Sequence, residues 1–181
     1  MATHVVGSSE DAAGPVVDIR RAGPEDAGEL FTLQRAAFVD EAQDFGDPFV
    51  LPLTEGLDRV RRLLADQHTL ALVAVNGHRI VGSVRARVVD SSAVLTRLAV
   101  APDLRRRGIA RALLERVEEA LRAWRPHLTT LSLSAGAHDN GQLLLYRELG
   151  YTETSRERIA EHLVMVHMRR ELTSRDAPNP R

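Results

Sequence analysis

The 181-residue chain contains no lysine and no cysteine. Its 24 basic residues are all arginine, which excludes Schiff-base catalysis and the lysine of a phosphate-binding loop. Without cysteine there is no disulfide, thiolate nucleophile, iron–sulfur cluster or cysteine-based zinc site. Long apolar runs are missing too: stretches such as Thr69–Val75 fall far short of the ~20 residues that span a bilayer. Residues 1–15 have neither a basic start nor an apolar centre and do not read as a secretory signal. A charge sum of 24 − 25 = −1 gives no global attraction to nucleic acid or membrane. What is present is an ordinary globular composition, 44% hydrophobic and 27% charged, at a length that suits one domain. The expectation is a soluble, cytoplasmic protein, with a homodimer left open.

The ends, 1–15 and 172–181, are expected to be loose, and a single domain to occupy 16–171. Within it the pattern alternates. A β-like run over 16–20 is followed by a helix opened by Pro24, with Glu25 and Asp26 at its positive end. Gly46, Pro48 and Pro52, within residues 44–53, break that helix, and Thr54 is a candidate N-cap for a second helix. Thr69–Val75 ends at Asn76-Gly77, a strong hairpin signal, with a partner strand at 80–89 and a third at 93–100. A helix over 109–124, a strand near Leu131 and Leu133, a helix over 143–149 and strands over 151–159 and 162–170 complete the chain. The fold class is α/β of the α+β type: a mixed, mostly antiparallel sheet of about seven strands flanked by about four helices.

The informative stretch is Leu98-Ala99-Val100-Ala101-Pro102-Asp103-Leu104-Arg105-Arg106-Arg107-Gly108-Ile109-Ala110. A strand ends, a short loop follows, and a helix starts near a glycine. The unpaired N–H groups and partial positive charge of a helix N-terminus suit phosphate oxygens, and Gly108 and Ala110 permit close approach. The competing reading makes Gly108 a plain turn and the arginines a solvated helix start. Other signatures are absent: no Gly-x-Gly-x-x-Gly, no Gly-x-Ser-x-Gly, no His-Glu-x-x-His. His162 and His167, five apart on a strand, are expected to face opposite ways, so no metal site is expected.

The Val-x-Pro-x-x-Arg-Arg-x-Gly-Ile-Ala pattern resembles motif A of the GNAT superfamily (Gcn5-related N-acetyltransferases). Leu145-Tyr146-Arg147-Glu148-Leu149-Gly150-Tyr151 is similar to a second family segment, Leu-Tyr-x-x-x-Gly-Phe/Tyr. The resemblance implies transfer of acetyl from acetyl-CoA to an amine, without metal or covalent enzyme intermediate. It implies that Leu98, Ala99 and Val100 lie on a splayed strand whose backbone pairs with pantetheine. Main-chain groups of Arg105, Arg106, Arg107, Gly108, Ile109 and Ala110 would hold the pyrophosphate. Tyr146 would protonate the departing thiolate, which suits a phenol of pKa near ~10 and a thiol near ~8.5; packing alone is the alternative. The family often has an asparagine seven residues before this tyrosine, where Asp139 stands here; Asn140, six before, is the alternative register.

An amine attacks only when unprotonated. For a lysine-like amine that costs about 4.6 kcal/mol at pH 7, for an α-amine about 1 kcal/mol. Many relatives place a glutamate on the strand before motif A; here that strand reads Ala93-Val94-Leu95-Thr96-Arg97-Leu98, without a carboxylate. Residues 39–58 instead carry Asp40, Glu41, Asp44, Asp47, Glu55 and Asp58 with no basic residue. They are expected to attract a small cationic amine, with Phe45 and Phe49 as pocket walls and Glu41 as the base, or else to be a solubilising loop. Transfer to a protein or peptide amine and a non-catalytic acyl-CoA sensor are the alternatives. A nucleic-acid role for Arg105–Arg107 lacks an aromatic platform.

Overall fold

The computed structural model describes residues 17–161 and 163–172. The expected loose N-terminus, and His162, lie outside the described residues. Leu172, expected at the head of the C-terminal tail, is instead buried and donates its N–H to Thr129 at 2.7 Å; the rest of that tail is outside the described residues.

After β1 (Asp18–Arg21), Pro24 opens a single 3₁₀ turn that runs into α1 (Ala27–Ala37). A separate helix, α2 (Val39–Phe45), follows and stops where Gly46 adopts φ +61°. The Pro-containing segment beyond it is not wholly irregular, because Pro52 enters the first turn of a one-turn helix, α3 (Leu51–Thr54). Thr54 therefore ends α3 rather than capping the next helix, and Gly56 is the N-cap of α4 (Leu57–Ala65). These two short helices raise the total from the expected four to six.

The remaining elements are β2 (Thr69–Asn76), β3 (Arg79–Val89), β4 (Ser92–Val100), α5 (Ile109–Trp124), β5 (Thr130–Gly136), α6 (Asn140–Glu148), β6 (Thr152–Ala160) and β7 (Leu163–Glu171). The hairpin loop between β2 and β3 is Gly77-His78, one residue later than Asn76-Gly77, since Asn76 pairs with Arg79. The seven strands form one sheet in the order β1-β2-β3-β4-β5-β7-β6. Only β4 and β5 run parallel.

Both faces of the β3 region are covered, and Ile80 to Val84 are buried in succession. On one face lies α5, whose Leu113, Val117 and Leu121 recur every four residues and are 0% exposed. A Cβ on Gly82 would meet Ile109 Cγ2 at 2.8 Å, so the first turn of α5 presses onto β3. On the other face, α1 packs on β3 and β4 beside α4. Towards β6 that face lies open: Thr152 to Ile159 are all exposed, and Ser134, His167 and Glu157 form a hydrogen-bonded row across it, 2.7 and 3.2 Å. No helix among the described residues is long and apolar enough to cross a membrane.

Candidate active site

The parallel pair of strands makes the opening. β4 and β5 pair only from Ser92–Val94 to Thr130–Ser132, and beyond Val94 the two strands part. Across β4's other edge, Ser83 faces Ala99 and Arg85 faces Thr96, so Val84 stands opposite two residues, Arg97 and Leu98. That is a β-bulge, and Arg97 sits in it at φ +55°. Leu98, Ala99 and Val100 line the cleft that results, which measures about 850 Å³.

At the end of β4, Ala101 still donates to Val81 and Leu104 to Ala101. From Arg105 to Ala110 no backbone N–H donates to a protein acceptor among the described residues. Arg106 at φ +63° and Gly108 at φ +82° turn the chain into α5, whose N-cap is Gly108. A run of free N–H groups at the positive end of a 16-residue helix is suited to phosphate oxygens. Arg105, Arg106, Gly108, Ile109 and Ala110 line the cleft; Arg107 does not. The Arg105 side chain is tied to the opposite wall, where it bonds to Asp40 and donates to Ala37 O at 2.9 Å.

The far wall starts at α6. Asp139 caps that helix, accepting from Gln142 N at 2.9 Å, which leaves Asn140 as its first residue; both line the cleft. Tyr146 lies one layer deeper. It is 3% exposed, stands outside the cleft lining, and packs against Tyr151 with ring centroids 6.0 Å apart. Burial pushes its pKa well above that of a free phenol, and the charges of Asp139 and Glu41 push the same way. Its hydroxyl donates to no protein acceptor among the described residues, so it is a protonated donor with its hydrogen uncommitted.

The acidic segment divides on folding. Asp40, Glu41 and Asp44 line the cleft. Glu41 is half-buried, and burial raises its pKa; Arg97 draws it back down, while Asp139 and Asp44 raise it further. Asp44 faces His138 at 3.5 Å, whose ring meets Phe45 edge-on at 5.3 Å. Phe45 is thus a wall of the cleft, but Phe49 is 77% exposed and stands apart from it. Asp47 accepts from Phe49 N and Asp58 pairs with Arg61, both at the surface.

Glu55 is not available to attract a cation. It is buried among Arg85, Arg59 and Arg97, and accepts from Gln34 at 3.1 Å. Burial alone would raise its pKa, but the bonds from Arg85 and Gln34 and the charge of Arg97 outweigh that and hold it below the usual carboxylate value. Nothing local marks Arg85 and Arg97 as partners of Glu55, which lies 30 and 42 positions before them in the sequence, and nothing local marks His138 as a partner of Asp44. The available signal is alternation along β4, which sets Arg97 in phase with the buried Ala93 and Leu95, whereas on β3 Arg85 falls out of phase with the buried Val84, Ala86 and Val88.

Fold and cleft accord with one family. A family model described as an acetyltransferase (GNAT) domain matches residues 36–172, and the chain belongs to that family. A search of curated proteins gave no significant match. Among solved structures, the chain is similar to the Escherichia coli ribosomal-protein-S18-alanine N-acetyltransferase, with TM-score 0.69 and 19% identity over 91% of this chain and 99% of that one. It is similar to the PaiA N-acetyltransferase of Thermoplasma acidophilum in complex with coenzyme A, with TM-score 0.71 and 14% identity over 87% and 99%. Arabidopsis thaliana NAA60 in complex with a bisubstrate analogue gives TM-score 0.70 and 18% identity over 88% and 100%. At such identities the likeness is one of fold.

Proposed function

We propose that the protein transfers acetyl from acetyl-CoA directly to the amine of a small molecule that enters as a cation. The observation that carries this reading is two stretches of uncommitted main-chain groups along one side of the cleft. The inner edge of β4 at Leu98–Val100 leads straight to the free N–H groups of Arg105–Ala110, and the same cleft holds Glu41. Acetyl-CoA supplies the activated acyl carbon; the protein orients it and handles protons. Asp44, Glu41 and Asp139 favour an ammonium group. Glu41, with its raised pKa, takes the ammonium proton and frees the nitrogen lone pair for attack on the acetyl carbon. The C–S bond then breaks, the departing thiolate takes the hydroxyl proton of Tyr146, the second proton that the nitrogen loses as the amide forms restores the phenol, and Glu41 gives its proton to solvent.

A peptide acceptor is the second reading, favoured by Phe49 and Leu51, 77% and 71% exposed beyond α2. Measuring thiol release from acetyl-CoA against small amines and peptides separates the two. Turnover restricted to small amines supports the first reading and turnover restricted to peptides the second. Tight acetyl-CoA binding with no turnover of any amine would identify a sensor and overturn both.

A further inference from the structure

We propose that Arg97 is an anion-binding residue of the acceptor site, so that the acceptor is a zwitterion: a free amino acid whose amine meets Glu41 and whose carboxylate meets Arg97. The inference rests on the amine-transfer reading above and narrows it.

The carboxylate of Glu55 is already saturated. Arg85 reaches both its oxygens at 3.3 and 3.2 Å, Gln34 reaches one at 3.1 Å, and Arg59 Nε lies at 3.4 Å. A carboxylate offers about four acceptor positions. Arg97 Nε stands at 3.6 Å from Glu55, too far for a hydrogen bond. Among the described residues it is the one buried side-chain polar atom with no hydrogen-bond partner, and the Nη groups of Arg97 donate to no protein acceptor either.

Charge leads to the same place. The side chains of Arg85 and Arg97 are only 12% and 19% exposed, against a single buried carboxylate. A guanidinium does not discharge at any ordinary pH, so Arg97 shares Glu55 with Arg85 at ion-pair distance only, and its own N–H donors stay unused in a mostly buried place where unmade hydrogen bonds are costly. Arg97 is not itself among the residues that line the cleft, but it adjoins them along β4. Arg97 holds φ +55° in the bulge immediately before Leu98, the first cleft-lining residue of β4. Bulges redirect a strand locally, and a non-glycine residue held in the left-handed region is a strained position of the kind that clusters at functional sites. Glu41, in the cleft, lies within electrostatic reach of Arg97 without an ion pair to it. The site therefore presents a proton acceptor beside a planar cation with unused donors, and a guanidinium fork matches a carboxylate.

The test is steady-state kinetics on the full chain with free L-amino acids and their carboxamides, each pair sharing a side chain. The best free acid should exceed its amide in kcat/KM by roughly 10- to 100-fold, the worth of a hydrogen bond to a charged group. Arg97→Gln should raise KM for the acid by a similar factor with kcat within a few-fold, and Arg97→Lys should recover part of the loss. Equal use of acid and amide would overturn the carboxylate contact while leaving amine transfer standing, as would a change in kcat alone. Absence of turnover with every amine, peptides included, would remove the reading beneath it and the inference with it. Should Arg97→Gln fail to fold, the wild-type comparison of acid and amide decides alone.

Discussion

The donor wall of the cleft comes from one continuous stretch, Leu98 to Ala110, and works mainly through its backbone. The acceptor wall gathers side chains from separate elements: Glu41 and Asp44 from α2 and His138 and Asp139 from the turn before α6, with Glu55, Arg85 of β3 and Arg97 of β4 forming a charged cluster behind the lining. A backbone site needs only correct local geometry, and changing a side chain there leaves its N–H groups in place. A side-chain site needs the tertiary fold, and every charge in it must be balanced by another that arrives from a distance. The first kind holds one cosubstrate in a fixed way; the second is where specificity can be changed residue by residue.

The sharpest way to break this comparison is at the two proton-handling groups, one on each side. Tyr146→Phe should lower kcat by about 10²–10⁴ with little change in acetyl-CoA affinity by calorimetry, since the hydroxyl is idle in the free protein. Full turnover under chemistry-limited conditions would reassign Tyr146 to packing against Tyr151. Glu41 should set the acidic limb of the kcat/KM profile, above the usual carboxylate range because burial raises its pKa. Glu41→Gln should remove that limb. Because the raised pKa disfavours the ionised fold, Glu41's contribution is most favourable below its unfolded value and is lost as pH rises through its folded one. The Gln variant should thus be no less stable than wild type at pH 7 by thermal melting.

Glu55 gives the contrasting result, in stability. Glu55→Gln leaves Arg85 and Arg97 without their shared carboxylate, which for a buried ion pair costs about 3–5 kcal/mol, read by denaturant unfolding. The sign with pH is opposite to that of Glu41. Its lowered pKa gives stability that is present above the unfolded carboxylate value and is lost as pH falls through the folded one.

These two glutamates, fourteen positions apart in one acidic stretch, also mark what the sequence makes legible. The sheet, its hairpins and the strand–loop–helix of Leu98–Ala110 could be read directly, because alternation, Gly77 and Gly108 are local signals. Family membership could be read for the same reason. The acidic stretch could not be divided into cleft, core and surface, because its partners Arg97, Arg105 and Arg85 lie dozens of residues away. Counting charges along 39–58 suggested a uniformly negative patch; folding delivers arginines onto it and leaves Glu41 and Asp44 facing the cleft. The one-turn α3 goes unread because Pro48 and Pro52 look like breakers, although Pro52 sits in a first turn where proline is tolerated; α2 reads as the end of the first helix, because no glycine or proline marks the break at Phe38.

On the donor wall, backbone geometry should matter more than charge. Gly108 holds φ +82° with open space where a Cβ would point. Gly108→Val should cost about 1–2 kcal/mol of stability through the left-handed backbone and weaken acetyl-CoA binding at least tenfold by crowding the N–H groups. Unchanged affinity in a folded Gly108→Val protein would remove the phosphate site from this loop.

The smallest expected effect is the most discriminating. Arg106 is exposed and lines the cleft, with its guanidinium near Gly141 on the opposite wall. If side-chain charge held the phosphates, Arg106→Ala would weaken acetyl-CoA strongly and the loss would grow at low salt. If the backbone holds them, an exposed cation adds only about 0.2–1 kcal/mol, screened further by salt, so calorimetry should show less than about a fivefold change in Kd. Arg97→Gln, a loss of the same kind of side chain on the acceptor wall, should leave acetyl-CoA binding alone and act on acceptor KM instead. A large effect of Arg106→Ala, with none from Gly108→Val, would reverse the assignment of backbone to donor and side chain to acceptor.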